Sequence, residues 1–190
     1  MPLKVSRRGA IAPFIVMDVM RAANERAAHG DDVLHLEVGQ PSTAAPKPVL
    51  EAATAALTSD RLGYTDAFGL PALRQRIARS YGEVYDVDVD WRRIVATTGS
   101  SGGFVLAFLA AFDSGDRVAL ASPGYPAYRN ILSALGVEVV NLEVGPETNF
   151  QPTPDLLDHI DGRLDGLIVA SPANPTGTMI RRDEMAGLVA

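Results

Sequence analysis

The stretch LIVASPANPTG, Leu167–Gly177, decides the fold. It begins as a short, partly β-branched apolar run, which is typical of a buried strand, and it ends in residues that favour turns. Pro172 and Pro175 cannot donate the hydrogen bonds of a sheet ladder, and Gly177 can adopt a positive φ. The sequence therefore predicts that the backbone leaves the sheet before the first proline and holds Asn174 on a stiff, non-helical loop.

Apolar runs of the same kind recur upstream and alternate with helical patterns. Gly, Pro or Asp bounds each run, as expected for strands of a sheet that is covered on both faces. The four predicted strands are Ile94–Ala96, Val118–Ala121, Val137–Val140 and Leu167–Ala170. The alternation predicts right-handed crossovers and a three-layer α/β/α fold with a mainly parallel sheet.

Helices are predicted between these strands. The run Gly103–Phe112 is apolar nearly all round, which indicates a buried helix. Tyr125–Leu135 has the pattern of a second crossover helix. Before the last strand, Thr153 is a predicted N-cap and Pro154 fits the first helical position, so a third helix begins there.

The first ninety residues have a different organisation. Their pattern predicts three helices, at Phe14–Ala28, Lys47–Thr58 and Pro71–Tyr81. Arg74 and Arg79 are assigned to polar faces of the third helix. A rigid corner formed by Pro41, Pro46 and Pro48 separates residues before about 40 from the rest, as an arm or a separate lobe.

The composition excludes several classes of partner. The 190 residues carry 23 acidic and 17 basic side chains, a formal net charge of -6 at pH 7. A surface that binds nucleic acid needs clustered Lys and Arg, so no nucleic-acid partner is expected. The chain has no cysteine, which excludes disulfides and thiolate metal sites, and its three histidines lack the spacing of metal ligands.

The N-terminus predicts a cytoplasmic location. The apolar run from Ala10 to Met17 contains Pro13 and continues into Asp18 and Arg21. That pattern fits an amphipathic helix better than a signal peptide. No membrane partner is expected.

Three loops follow predicted strands, where an open parallel sheet binds its ligands. In the first, TTGSSGG at Thr97–Gly103, small residues lead into a helix, and backbone N–H groups at a helix N-terminus are suited to phosphate. A helix cap that needs small residues for packing is the alternative. In the second, ASPGYPAY, the ring of Tyr125 can stack on a flat heteroaromatic ligand, or Tyr125 and Tyr128 simply pack where a helix begins.

The third loop is the one that carries Asn174. Its amide can hydrogen-bond a phenolic oxygen or a carboxylate of a ligand. The alternative is an Asx turn, in which the same side chain binds the backbone of its own loop.

Together the loops resemble a known family. The sequence is similar to the N-terminal half of class I/II aminotransferases, fold type I enzymes that use pyridoxal 5'-phosphate (PLP), and the resemblance spans essentially all 190 residues. Its segments, in order, are LEVGQP, LGYTDAFGLPALRQRIA, TTGSSGG, ASPGYPAY and SPANPTG. The resemblance implies an N-terminal arm or part of the small domain in residues 1–40, and the N-terminal part of the PLP-binding large domain in residues 41–190, truncated before that domain ends.

The resemblance also implies the residues that bind the cofactor. Ser100 and Ser101 would bind the phosphate, and Tyr125 would stack on the pyridine ring. Asn174 would hydrogen-bond the phenolic O3' of the cofactor. Many relatives carry another aromatic residue at position 125, and a tyrosine there keeps the stacking.

Substrate and subunit contacts follow from the same resemblance. The backbone of Gly39 and the side chain of Asn174 would hold the substrate carboxylate. Tyr64 would reach the cofactor phosphate of a partner subunit, which implies a homodimer with shared active sites.

The family's Schiff-base lysine has no counterpart among these loops. The chain has two lysines, Lys4 at the terminus and Lys47 between two prolines. The resemblance places the lysine beyond Ala190, so no catalytic residue is assigned within this chain. The last ten residues, RRDEMAGLVA, form a helical pattern without a C-cap, which we interpret as a truncation.

The resemblance predicts a PLP-dependent aminotransferase that moves an amino group between an amino acid and a 2-oxo acid. The isolated 190-residue chain is expected to be inactive. Two alternatives remain open at this point. One is another fold type I PLP enzyme, such as a carbon-sulfur lyase or a cyclopropane-forming synthase. The other is a non-catalytic fragment that retains the phosphate pocket and the dimer surface.

Overall fold

The structure is a computed structural model that describes residues 3–189. It divides into two compact units. One, the sheet unit, contains the residues up to Phe14 and those from Ser100 onward. The other, the helical unit, is Ile15–Gly99. The predicted domain boundary after residue 40 stays a prediction.

The elements alternate as the sequence pattern predicts from residue 99 onward. The helices are α1 Ile15–Ala28, α2 Lys47–Ser59, α3 Pro71–Tyr85, α4 Gly99–Ala111, α5 Pro126–Leu135, α6 Pro154–Asp158 and α7 Arg182–Val189. The strands are β1 Arg117–Ser122, β2 Glu138–Glu143 and β3 Gly166–Ile168. Short 3-10 turns occur at Arg7–Ala10, Trp91–Arg93 and Pro146–Thr148.

The three strands form a parallel sheet in the order β2-β1-β3. Val118 of β1 lies opposite Val139 of β2 and Gly166 of β3. The middle of β1 is buried because it has a neighbour on each side and a layer on each face. The predicted α/β class with a mainly parallel sheet is confirmed.

Side chains of β1 alternate between two cores, as the pleat of a strand requires. Val118 and Leu120 pack with Phe108 of α4 and Leu132 of α5 on one face. On the other face, Ala119 of β1 belongs to a core that Leu156 and Leu157 of α6 cover. Helices on both faces give the predicted three layers.

The predicted cap of α6 is confirmed. Thr153 Oγ1 accepts a hydrogen bond from the Leu156 N–H at 3.4 Å, and Pro154 occupies the first turn, where its missing N–H costs nothing. The cap matters for the fold because Leu156 and Leu157 of α6 cover the core that contains Ala119.

The prediction of a strand at Ile94–Ala96 is wrong. Within residues 3–189 this segment belongs to no sheet, and the Ala96 N–H instead donates to the Phe68 carbonyl at 2.9 Å. An apolar, β-branched run can be extended without being paired. Because a strand exists only through its neighbour, the local pattern could not decide the question.

The prediction that the first crossover helix is buried is also wrong. Helix α4 begins at Gly99 rather than Gly103, and it turns Phe108 into the core. Val105, Leu106 and Leu109 are exposed among the described residues. A helix that is apolar on every face carries no signal for which face packs inward.

The three predicted helices of the first ninety residues are present. Helix α3 continues past Tyr81 to Tyr85 and ends where Asp86 adopts a left-handed conformation at φ 55°. The proline corner stands directly before α2, with Pro46 at its N-cap and Pro48 in its first turn. No helix among the described residues has both the length and the apolar character needed to cross a bilayer.

The assignment of Arg74 to a polar face is wrong. Its side chain is only 6% exposed. It turns toward the rings of Phe68 and Trp91, which come from outside α3, so the helical period alone could not show that this face is covered.

Candidate functional site

The site lies at the carboxyl edge of the sheet, where β1 ends at Ser122 and the neighbouring β3 ends at Ile168. The loops that follow these strands line one small cavity, and they bring Tyr125 and Asn174 to its wall. The cavity measures about 20 Å³, which is room for a single water. A larger ligand would lie at its mouth.

The loop that carries Asn174 is closed by its own backbone. The Ala173 N–H donates to the Thr178 carbonyl at 2.9 Å, and the Gly177 N–H donates back to the Ala173 carbonyl at 2.8 Å. Gly177 has φ 69°, a conformation that a residue with Cβ seldom adopts. The predicted stiff, non-helical path is confirmed.

The side chain of Asn174 has no hydrogen-bond partner within residues 3–189. The Asx turn that the sequence left open is therefore not what closes this loop. The amide stays exposed at the cavity wall with both of its donor hydrogens available to a ligand.

Gln151 is a member of this site that the sequence reasoning missed. It is 1% exposed, and it lines the same cavity as Asn174. Its Nε2 donates to the Thr178 carbonyl at 2.7 Å and lies 3.4 Å from the Ala170 carbonyl. These carbonyls stand at the two ends of the Asn174 loop. The one available signal in the sequence was the position of Gln151, a polar residue directly before Pro152 and the predicted start of α6.

A tight turn presents Tyr125. A Cβ on Gly124 would meet the Ala121 carbonyl oxygen, so only glycine fits at position 124 of the turn that joins β1 to α5. Tyr125 is the N-cap residue of α5, and its ring packs edge-on against Tyr128 at 5.4 Å and Phe14 at 6.2 Å between centroids. The alternative of packing is therefore confirmed in part, because two neighbouring rings contact Tyr125 at nearly right angles.

Tyr128 adds a second phenol to the cavity wall. Burial raises the pKa of the Tyr128 hydroxyl above its ordinary value, and the neighbouring Tyr125 adds to the shift. The group is therefore a neutral hydrogen-bond donor at physiological pH.

Ser100 and Ser101 lie in the first turn of α4, and both are exposed. Within residues 3–189 neither hydroxyl has a hydrogen-bond partner. The turn before them is closed locally, by Thr97 Oγ1 donating to the Gly99 carbonyl at 2.8 Å. Two exposed hydroxyls therefore lie together in the first turn of a helix, a position that suits an anion.

Gly39 and Tyr64 belong to the helical unit. Gly39 lies in an irregular, exposed segment with open space around its Cα. Tyr64 is fully exposed in the loop before α3. Their predicted roles stay predictions.

The two lysines lie on the surface of the chain. Lys4 is exposed in the N-terminal segment, and Lys47 is 86% exposed, with its Nζ 3.5 Å from Glu51 Oε1. Both amines are in contact with water, whereas a nucleophilic lysine is desolvated or held by a neighbouring group.

Comparisons with known proteins agree with this geometry. The sequence model of the family described as "Aminotransferase class I and II" matches residues 31–190. The valine–pyruvate aminotransferase of Mycobacterium tuberculosis (strain ATCC 25618 / H37Rv) is 56% identical over 185 residues, which are 97% of this chain and 48% of the relative. The aspartate aminotransferase of Thermotoga maritima is 35% identical and is covered to 50%.

Solved structures give the same result. A crystal structure of an aminotransferase from Mycobacterium tuberculosis superposes with a TM-score of 0.93 at 55% identity, covering 98% of this chain and 48% of that one. The Thermus thermophilus aspartate aminotransferase with maleate has a TM-score of 0.90 at 31% identity, covering 98% and 50%. This chain spans about half the length of the relatives it matches.

Proposed function

This chain belongs to the class I and II aminotransferases, and on that premise we propose that the complete protein containing residues 1–190 is a PLP-dependent aminotransferase. It would transfer an amino group between an amino acid and a 2-oxo acid. The observation that carries the proposal is the free amide of Asn174, held on a rigid loop beside Tyr125 at the carboxyl edge of the sheet.

The residues present fit such a cofactor. Asn174 offers a donor, Tyr125 offers an aromatic surface, and the first turn of α4 offers hydroxyl and amide donors suited to a phosphate. A cavity of about 20 Å³ cannot enclose a pyridine ring, so the ring would lie at its mouth. When bound, the cofactor supplies an electron sink for the substrate α-carbon.

The work of these residues is to bind and orient. Ser100 and Ser101 would anchor the phosphate, and the Asn174 amide would donate to O3', which favours the anionic form of that oxygen. Gly39 and Asn174 would hold the substrate carboxylate. We expect the lysine that moves the α-proton outside residues 1–190.

The substrates to test first are valine and pyruvate, because the relative at 56% identity is named for that pair. The assay supplies ¹⁵N-valine and pyruvate to the complete protein and follows labelled alanine by mass spectrometry. We expect the label in alanine, and less of it from aspartate as donor. Release of pyruvate, ammonium and a thiol from a β-thio amino acid such as cystathionine, with no labelled alanine from valine, would favour the carbon-sulfur lyase alternative and contradict amino transfer.

We also propose that the complete protein is a cytoplasmic homodimer in which Tyr64 serves the partner's site. The full exposure of Tyr64 supports this role, since the ring has no packing function among the described residues of its own unit. Mixing Tyr64→Phe protein with an inactive Ser101→Ala variant should restore activity through hybrid dimers that keep one intact site. No recovery after verified subunit exchange would contradict shared sites.

A further inference from the structure

We infer that Gln151 is a positioning residue of the cofactor site, whose buried amide fixes the loop that aims Asn174. The inference rests on the proposed function, because it gives Asn174 the role of donor to O3'. It extends that function to a residue which would touch neither cofactor nor substrate.

The geometry of the amide points to this role. Gln151 Nε2 lies 2.7 Å from the Thr178 carbonyl, 3.2 Å from Thr178 Oγ1 and 3.4 Å from the Ala170 carbonyl. An amide nitrogen has two hydrogens, which is enough to serve both the Thr178 carbonyl and the more distant Ala170 carbonyl. One side chain thereby joins the two ends of the loop that carries Asn174.

The Thr178 carbonyl is the point where the loop is closed. It accepts the Ala173 N–H at 2.9 Å as well as the Gln151 amide, so both of its lone pairs are used. Asn149 Nδ2 adds a weaker contact to the Met179 carbonyl at 3.3 Å. Without Gln151, the partly buried Ala170 carbonyl would lose this donor and the Thr178 carbonyl would keep only the Ala173 N–H, so the loop would rely on its own backbone bonds.

The direction of the Asn174 amide depends on the loop alone, since that side chain has no partner within residues 3–189. Gln151 and its neighbours Phe150 and Pro152 line the same cavity as Asn174 and Tyr125. A shift of the loop therefore moves the donor relative to the aromatic ring on which a cofactor would stack. Burial of Gln151, at 1% exposed, excludes a direct contact with the ligand.

The test compares two probes that differ by one oxygen. PLP carries O3', and 3-deoxypyridoxal 5'-phosphate does not, so the ratio of their dissociation constants reports the hydrogen bond to that atom. The proteins are the complete wild type and its Gln151→Met, Asn174→Ala and Thr153→Ala variants. Thr153→Ala is the matched control, because it removes the cap of α6 without touching the Asn174 loop. Hydrogen exchange of residues 170–178 is measured on the same samples.

We expect wild type and Thr153→Ala to prefer PLP by about tenfold, and Asn174→Ala and Gln151→Met to lose that preference. Exchange in residues 170–178 should rise in Gln151→Met and stay at the wild-type level in Thr153→Ala. If Gln151→Met does not fold, Gln151→Glu replaces it. Its loss of preference should reverse as the pH falls and the carboxyl gains a proton to donate.

Two results would overturn the inference while leaving the proposed function intact. One is a preference for PLP that survives in Gln151→Met despite faster exchange, since Gln151 would then be scaffold only. The other is unchanged exchange of residues 170–178. A wild type without any preference would instead refute the role of Asn174 itself, and the inference with it.

Discussion

Among residues 3–189, each of the two units contains one buried polar side chain that donates to backbone carbonyls, and the two side chains have different roles. In the helical unit Arg74 donates from Nε to the Ile94 carbonyl at 2.7 Å and from Nη2 to the Arg92 carbonyl at 3.0 Å. Its guanidinium lies 4.8 Å from the Trp91 ring centroid and 5.5 Å from that of Phe68. In the sheet unit Gln151 binds the ends of a loop with a neutral amide.

The difference lies in charge. Arg74 makes no ion pair among the described residues, so carbonyl dipoles and ring faces must compensate the burial of its charge. A neutral side chain at position 74 could not make these interactions. Gln151 is neutral, so it fixes the loop without placing a charge beside the cavity that Asn174 and Tyr125 line. We interpret Arg74 as a structural clamp and Gln151 as a support for a binding loop.

The largest expected effect is that of Arg74→Met. The variant keeps much of the side-chain volume but leaves two carbonyls without their charged donor, so we expect a loss of about 3 kcal/mol in the free energy of unfolding. Urea denaturation followed by the fluorescence of Trp91, the one tryptophan of the chain, measures it.

Arg76→Met is the matched control for that experiment. Arg76 lies on the same helix, but it is exposed and pairs with Glu83 at 3.2 Å on the surface. Its replacement should change the stability by about 0.5 kcal/mol or less. Equal losses in both variants would contradict the special role of the buried arginine.

Gln151→Glu should give a smaller and pH-dependent effect. Burial against the carbonyls of Ala170 and Thr178 raises the pKa of the introduced carboxyl above its unfolded value of about 4.3. The folded state then holds the proton more tightly than the unfolded state, so stability is highest at low pH. It falls as the pH rises from about 4.3 through the folded pKa, and we expect a deficit of about 2 kcal/mol at pH 7. A deficit that does not depend on pH would indicate lost packing instead of lost donation.

Thr153→Ala should cost about 1 kcal/mol, the usual worth of an N-cap hydroxyl. The Leu156 N–H loses its acceptor, while the Asn174 loop keeps all its bonds. Thermal denaturation against wild type measures the loss, and restoration by Thr153→Ser supports the cap as its cause. A loss of several kcal/mol would indicate that Thr153 does more than cap α6.

The sequence predicted those features that local chemistry determines. Alternating short apolar runs and helical patterns predicted the order of the elements from residue 99 onward, Thr153 predicted a helix start, and the prolines and Gly177 predicted a rigid departure from the sheet. Each of these signals acts over a few residues, so no distant partner is needed to read it.

The features that the sequence did not predict depend on distant partners. The carbonyls that Gln151 binds lie 19 and 27 residues further along the chain. Phe68 and Trp91, which cover Arg74, lie outside its helix. The wrong prediction at Ile94–Ala96 has the same cause. An extended apolar run is a strand only when it pairs with a neighbour, and this run has none among the described residues.

Replacement of Asn174 should leave the stability nearly unchanged, and it is the most direct test of the claim that this side chain serves a ligand. In the complete protein, Asn174→Ala should leave the free energy of unfolding within about 0.5 kcal/mol of wild type, since the amide has no partner in the fold. It should also weaken PLP binding by about tenfold, because one hydrogen bond to the cofactor is lost. Equilibrium dialysis and urea denaturation on the same samples decide the matter. A loss of stability with unchanged PLP affinity would make Asn174 part of the scaffold and contradict the account.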